Sequence, residues 1–160
     1  LKRYGALAFW DYAAAAPYVR IDMNSHSPLD AVFMSPHKFI GGPGTPGVLL
    51  VKGHLLNNSV PATVGGGTVT YVTPEDHHYV ASAERREEGG TPGIVESIRA
   101  GLVFKLQQDV GFEEIARREH AFVFRAIDRL SQCENLEILG PLDVPRLSIL
   151  SLRFKLGEKD

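Results

Sequence analysis

Residues 35–47 read SPHKFIGGPGTPG and place one lysine, Lys38, in front of a turn rich in glycine and proline. An apolar run, DAVFMS, precedes this segment at residues 30–35 and is stopped by Pro36, and a second one, GVLLVK, follows at residues 47–52. Short apolar runs bounded by glycine and proline are typical of buried strands. The sequence therefore predicts two strands joined by a tight loop that carries Lys38.

A third strand is predicted upstream, because residues 6–10 form a short apolar run that leads directly to Asp11. In open α/β sheets, ligands collect where the strands end at their carboxyl edge. The three runs are almost continuously apolar and do not alternate with polar residues. This pattern favours strands that are covered on both faces of the sheet.

The second half of the chain is predicted to be helical and then to return to strands. Residues 61–90 are polar and glycine-rich, and we interpret them as a long loop with a short helix near Glu75. A helix that ends at Gly111 then carries an apolar stripe with four-residue spacing, formed by Ile94, Ile98, Leu102, Leu106 and Val110. A second amphipathic helix follows, and LEILG and RLSILSLRF are predicted strands. We expect an α/β body followed by the start of an α+β unit.

Composition narrows the class of protein. The chain has 160 residues, 44% hydrophobic and 22% charged, with a formal net charge of −2, which is typical of a globular domain and gives no basic surface for nucleic acid. It has no apolar run of membrane-spanning length and no signal-peptide pattern. The single cysteine, Cys133, excludes an internal disulfide and fits a reducing compartment, so we expect a cytoplasmic location and no membrane partner.

Lys38 is the candidate for covalent chemistry. An amine attacks a carbonyl only when it is unprotonated, and desolvation or a neighbouring positive charge frees its lone pair. Lys38 follows an apolar strand and lies next to His37, a setting that supplies both influences. The competing interpretation is an ordinary surface lysine in a loop, which residue type alone favours.

Three segments together resemble one family. SPHK followed by a Gly/Pro-rich turn and GVLLV is similar to the cofactor-lysine segment of the class V aminotransferases and cysteine desulfurases, which are pyridoxal-phosphate enzymes of fold type I. FWDYAAAAPYVRIDM resembles the strand of that family that ends in an aspartate, and RREEGGTPGIVESIRAGL resembles its GTP turn entering a helix. The segments occur in the order of the family and are distributed over about two-thirds of the chain. The resemblance implies a partial chain, because the upstream phosphate loop of the family is not found.

The resemblance implies a role for each matching position. Lys38 would form a Schiff base with the aldehyde of pyridoxal 5'-phosphate, and Asp11 would pair with the ring nitrogen and keep it protonated. Ser35 and His37 match residues that contact the phosphate. Thr91 matches a threonine that reaches the phosphate bound in the neighbouring subunit, which implies a homodimer with shared active sites. The loop at residues 64–67, VGGG, resembles one that lies near the active site of the partner.

Simpler interpretations stay open for the same residues. Asp11 could end a strand, Ser35 could be a turn residue, and His37 could be structural or exposed. Thr91 could cap the following helix with Pro92 at its first position, and this role is compatible with a phosphate contact. The adjacent pair at residues 77–78, two histidines, has no further ligand at a supporting spacing, so we predict no metal site.

The resemblance implies an enzyme that acts on an amino acid, by transamination or by chemistry of the cysteine desulfurase or selenocysteine lyase type. Ala14 stands where the desulfurases have a glutamine that touches the ring, and Cys133 precedes the expected position of their nucleophile. We therefore expect Cys133 to be a buried or half-buried structural residue. The alternative is a non-catalytic dimerisation or scaffold domain. Residues 1–111 would form the second half of the cofactor-binding large domain, and residues 112–160 a connecting helix and the beginning of the small domain.

Overall fold

The computed structural model describes residues 1–155 and residue 157. In this part of the chain the strands are β1 (Phe9–Asp11), β2 (Ala31–Met34), β3 (Val48–Val51), β4 (Val69–Val72), β5 (His77–Tyr79), β6 (Leu136–Leu139) and β7 (Ser151–Phe154). The helices are α1 (Ala83–Glu87), α2 (Ile94–Val110) and α3 (Phe112–Leu130). The chain is a mixed α/β structure, as predicted, with helices and three small sheets along the described residues.

The first sheet holds the three predicted strands in the order β1-β2-β3. β1 and β2 run parallel, with Phe9 opposite Ala31 and Asp11 opposite Phe33. β2 and β3 run antiparallel and are joined by residues 35–47, the segment that carries Lys38. Both predicted strands that flank Lys38, and the strand that leads to Asp11, are confirmed.

The prediction that these strands are covered on both faces is wrong for the described residues. Val32 is fully buried and packs with Ala8 and Leu29 on one face. Residues paired across neighbouring strands point to the same face, so Phe33 and Leu49 lie together on the other one, where they are 43% and 54% exposed. An apolar run in the sequence does not by itself show which face of the strand packs against other residues.

Helix α2 lies over the buried side of the sheet. Val103 packs with Phe39 and Ala16, and Phe104 also contacts this cluster. The predicted apolar stripe is not the packing face of α2: its five residues are all exposed, from 43% at Leu106 to 63% at Leu102, and the buried residues of the helix are Ala100 and Val103. Four-residue spacing advances by about 40° per step on a helix of 3.6 residues per turn, so such a stripe winds around the helix away from one packing face.

Residues 61–90 are more regular than the predicted loop. β4 and β5 form an antiparallel hairpin, and the short helix α1 lies at residues 83–87, not near Glu75. The hairpin turn is closed by the Thr73 amide, which donates to the Asp76 carbonyl at 2.7 Å, and the Tyr71 ring stacks on His78 across the strands. Cross-strand aromatic pairs of this kind stabilise a hairpin although its composition is polar.

The last elements confirm the predicted second helix and the strands that follow it. Gly111, with φ of 86°, separates α2 from α3 in a conformation that favours glycine. After α3, β6 and β7 pair antiparallel, with Leu136 opposite Phe154. The predicted domain boundary at residues 111–112 coincides with this break between helices and stays a prediction. Among the described residues, no helix combines the length and hydropathy that crossing a bilayer requires.

Candidate cofactor site

Asp11 and the segment that carries Lys38 lie at the same edge of the first sheet. Asp11 is the last residue of β1, and Ser35, His37 and Lys38 follow the end of β2. Because β1 and β2 are parallel, their carboxyl ends meet at one edge. The Tyr12 amide, directly after Asp11, donates to the Phe33 carbonyl at 2.9 Å, which continues the pairing to this edge.

The Asp11 carboxylate is oriented by its own backbone. Its Oδ1 accepts the Ala13 amide at 2.7 Å in a turn typical of aspartate after a strand. Within residues 1–155 and 157, its Oδ2 receives no hydrogen bond, and the residue is exposed. One carboxylate oxygen is therefore held in place while the other is available to an external donor. Ala14, at the position of the family's glutamine, is also exposed.

Lys38 lies at the end of a 3₁₀ turn, Pro36–Lys38, with a buried residue two positions before it and another directly after it. Pro36 is buried, and Phe39 packs edge-to-face on Phe104 of α2 with ring centroids 5.3 Å apart. His37 and Lys38 themselves are exposed, and Ser35 is half-buried. The packing fixes the backbone on both sides of the amine and leaves the side chain to reach outward.

Lys38 borders an apolar cavity of about 570 Å³ between the sheet edge and helices α2 and α3. Phe39, Leu106 and Phe122 contribute apolar walls, and Arg118 lies at the same cavity. Asp11 is not among the lining residues. The structure thus places Asp11 and Lys38 at one sheet edge, and in the described residues it does not place them in one cavity.

Thr91 lies apart from the other four predicted residues. It precedes α2, whose N-cap is Gly93, so the interpretation of Thr91 as the cap with Pro92 at the first helical position is wrong. Arg99 of α2 reaches the loop after Lys38. It lies about 7.5 Å along the helix axis from Ile94, the first residue of α2, at 1.5 Å per residue, and Thr91 lies before Ile94. Thr91 is exposed.

The loop at residues 64–67 contacts the turn that carries Thr91, a neighbourhood that the sequence did not reveal. The Gly90 amide donates to the Gly66 carbonyl at 2.8 Å. A Cβ on Gly65 would lie 3.2 Å from the Gly90 nitrogen, so glycine permits this approach. Thr68, which is fully buried, closes the loop by donating its hydroxyl to the Gly65 carbonyl at 2.7 Å. The two glycine-rich segments form one surface.

The burial of two charged residues, Asp30 and Arg86, was not predicted from the sequence. Asp30, just before β2, accepts the Ala8 amide at 2.7 Å and the Lys2 ammonium at 2.6 Å, and these contacts hold the pKa of Asp30 below its ordinary value. Arg86, on α1, is buried and donates to the Ala81 carbonyl at 3.3 Å. A carboxylate directly before an apolar run was the signal for Asp30. No local signal distinguished Arg86 from its neighbouring arginine.

Cys133 is exposed, so the prediction of a buried or half-buried cysteine is wrong. Helix α3 ends at Leu130, and the turn that follows carries Cys133 along the surface on the way to β6. His77 and His78 lie on the hairpin strand β5. No cluster of three possible metal ligands occurs among the residues that the structure describes.

The family described as aminotransferase class-V matches residues 1–160. A probable cysteine desulfurase of Halalkalibacterium halodurans is 34% identical over 139 residues, which are 87% of this chain and 34% of the relative. One of Streptomyces coelicolor is 30% identical over 157 residues, 98% of this chain and 37% of the relative. The chain spans about a third of the length of these relatives.

Solved structures show the same fold. The cysteine desulfurase CsdA of Escherichia coli superposes with a TM-score of 0.82 at 24% identity, over 96% of this chain and 37% of that one. A cysteine desulfurase of Thermococcus onnurineus superposes with a TM-score of 0.79 at 26% identity, over 95% of this chain and 38% of that one.

Proposed function

Since this chain belongs to the class V aminotransferase family, we propose that it carries the cofactor-binding segment of a pyridoxal-phosphate-dependent enzyme that acts on an amino acid. The fold of the two desulfurase structures agrees with the fold type I architecture predicted from the sequence. The observation that carries the proposal is the common edge of β1 and β2, which places Asp11 beside the segment with Lys38.

The donor set at this edge fits pyridoxal phosphate. The cofactor has a basic ring nitrogen, an aldehyde and a phosphate, and the edge offers a carboxylate, an amine, a hydroxyl and an imidazole from Asp11, Lys38, Ser35 and His37. These are the partners that such a molecule requires. When bound, the cofactor supplies an electron-withdrawing ring that stabilises negative charge developing on an amino-acid substrate.

Each side chain has a defined task in this proposal. Asp11 holds the proton of the ring nitrogen through its available oxygen Oδ2, while the Ala13 amide keeps the carboxylate oriented. Lys38 would hold the cofactor by condensing with its aldehyde, with loss of water. A substrate amine that takes the place of Lys38 would release the Lys38 amine, which could then move a proton at the substrate Cα. Ser35 and His37 donate to the phosphate, and the exposed Thr91 donates to the phosphate bound in the partner subunit.

The proposal extends to the assembly and the organisation of the chain. We propose a homodimer with shared active sites, in which the surface formed by residues 64–67 and 89–91 faces the partner. Residues 1–111 then form the second half of the cofactor-binding domain, and residues 112–160 the connecting helix and the start of the small domain. The single cysteine, which is exposed, fits a reducing compartment and supports a cytoplasmic location.

Spectroscopy of the full-length protein tests the proposal. Purified protein incubated with pyridoxal phosphate should gain the visible absorbance of the bound cofactor, and borohydride should then fix the cofactor on Lys38 in the peptide map. Lys38→Ala should abolish both signals. Lys105→Ala is the matched control, since Lys105 pairs with Asp109 on the exposed surface of α2. A full-length protein that stays colourless and unlabelled would refute the proposal.

The reaction is tested separately with L-cysteine and with L-alanine. The cysteine assay contains an added thiol reductant, which supplies the two electrons needed to release the sulfur as sulfide. Formation of sulfide and alanine in equal amounts would indicate desulfurase chemistry, as the names of the curated relatives indicate for those proteins. Transfer of the amino group to a 2-oxo acid would indicate transamination. Ala14 lacks the amide that a glutamine would offer to the ring, which weakens the case for desulfurase chemistry, and the two assays decide the reaction.

A further inference from the structure

The segment after Lys38 is a run of linked turns. The amides of Lys38, Phe39, Gly42 and Thr45 each donate to the carbonyl three residues earlier, and all four distances are 3.0 Å. Every bond spans one turn, and each turn shares a residue with, or directly adjoins, the next. The backbone at residues 35–45 is therefore held by its own hydrogen bonds.

Gly42 lies directly against the turn that carries Lys38. A Cβ added to Gly42 would lie 1.9 Å from the Pro36 carbonyl oxygen and 3.0 Å from the Cα of His37. The first distance is far inside van der Waals contact, and the carbonyl that it meets is backbone. Only glycine lets the loop approach so closely. Because Pro36 is itself buried, the turn has little room to move aside.

Two further side chains fix the loop from the other direction. Thr45 is 8% exposed, and its hydroxyl donates to the Gly42 carbonyl at 2.7 Å, which doubles the amide bond to the same oxygen. Arg99, on α2, donates from Nη1 to the Pro43 carbonyl at 2.8 Å. The loop is thus tied both to itself and to the helix that packs on Phe39.

We propose that Gly42 is a positioning residue for Lys38 and that the Thr45 hydroxyl holds Gly42 in place. The inference rests on the proposed role of Lys38. A displaced Gly42 would push the Pro36 carbonyl, and with it the backbone of Lys38, away from the sheet edge where Asp11 lies. The amine would then meet the cofactor aldehyde in a poorer geometry, and the condensation of the two groups, which releases water, would be less favourable.

The test measures cofactor attachment to Lys38 in the full-length protein. Pyridoxal phosphate is added at increasing concentration and at several pH values, borohydride reduces the resulting C=N bond, and mass spectrometry quantifies the modified Lys38 peptide. Thr45→Val removes the hydroxyl at nearly constant volume, and Thr45→Ser keeps it. Gly101→Ala is the matched glycine control, because a Cβ at Gly101 of α2 meets no atom within 4 Å.

We expect Thr45→Val to raise the cofactor concentration for half-maximal labelling by up to about fivefold and to shift the pH profile of labelling. Fivefold corresponds to the whole free energy of one buried hydrogen bond, which is the upper limit that its loss can transfer to cofactor attachment. Thr45→Ser and Gly101→Ala should stay within about twofold of the unmodified protein, since neither removes that bond. Gly42→Ala should show the largest loss. Circular dichroism on the same samples restricts the comparison to folded protein. A variant that only loses stability should keep the pH profile of labelling of the unmodified protein, whereas a displaced Lys38 amine should change it.

The outcomes separate the two proposals. If Lys38 of the unmodified protein is never labelled, the proposed function fails. If it is labelled, and Thr45→Val and Gly42→Ala match it in concentration and pH dependence, the positioning role is refuted and the proposed function stands. Should Gly42→Ala fail to fold, the comparison of Thr45→Val with Thr45→Ser decides.

Discussion

Replacing Phe39 by alanine tests how firmly the Lys38 segment is anchored in the core. The Phe39 ring is 6% exposed and packs with Ala16, Val103 and Phe104. Removing a buried aromatic ring costs about 3–5 kcal/mol, because apolar transfer energy is lost and a cavity is left. The next residue, Ile40, is 84% exposed, and its replacement by alanine should change the free energy of unfolding by no more than about 0.5 kcal/mol.

Urea unfolding of the full-length protein, followed by circular dichroism, measures the difference. With a slope of about 2 kcal/mol per molar urea, Phe39→Ala should lower the midpoint by about 1.5–2.5 M, and Ile40→Ala should leave it nearly unchanged. Equal midpoints for the two variants would refute the argument, since they would show that burial does not distinguish these neighbours. A drop confined to Phe39→Ala would show that the residue after Lys38 holds the segment under α2.

Three further outcomes follow from the contacts. Lys2 and a backbone amide lower the pKa of Asp30, so the stability that Asp30 contributes is present above its ordinary pKa of 3.8 and is lost as the pH falls. In the Asp30→Asn variant the urea midpoint should therefore fall less between about pH 5 and 2 than in the unmodified protein. An equal fall of the midpoint in both proteins would contradict this. Two arginines lower the pKa of Glu114 to about 2, and its carboxyl resonance in an NMR titration should therefore move near pH 2 and not near 4.5. Thr68→Val removes the bond to the Gly65 carbonyl and should destabilise the loop by about 1 kcal/mol, seen as faster hydrogen exchange at residues 64–67, with Thr70→Val on the exposed hairpin as the control.

The candidate site shows how far sequence reasoning reached. Lys38 and Asp11 were selected because each follows an apolar run, and the structure places both at the carboxyl edge of neighbouring parallel strands. That local rule does not apply to Thr91, which follows no apolar run, and the prediction that Thr91 caps helix α2 was wrong. It also failed at Cys133, since the position of a residue after a helix end depends on where the chain turns next.

Some features were fixed by the order of residues alone. Apolar runs interrupted by glycine and proline determined strands β1 to β3, and three motifs in one order determined the family, because both kinds of signal depend only on near neighbours along the chain.

Tertiary structure decided the rest. The burial of Asp30, the contact of Gly42 with Pro36 and the outward turn of Ile98 on α2 each depend on atoms from distant or folded-back segments. Such contacts are set by packing and hydrogen-bond satisfaction in three dimensions, which residue type and spacing leave open.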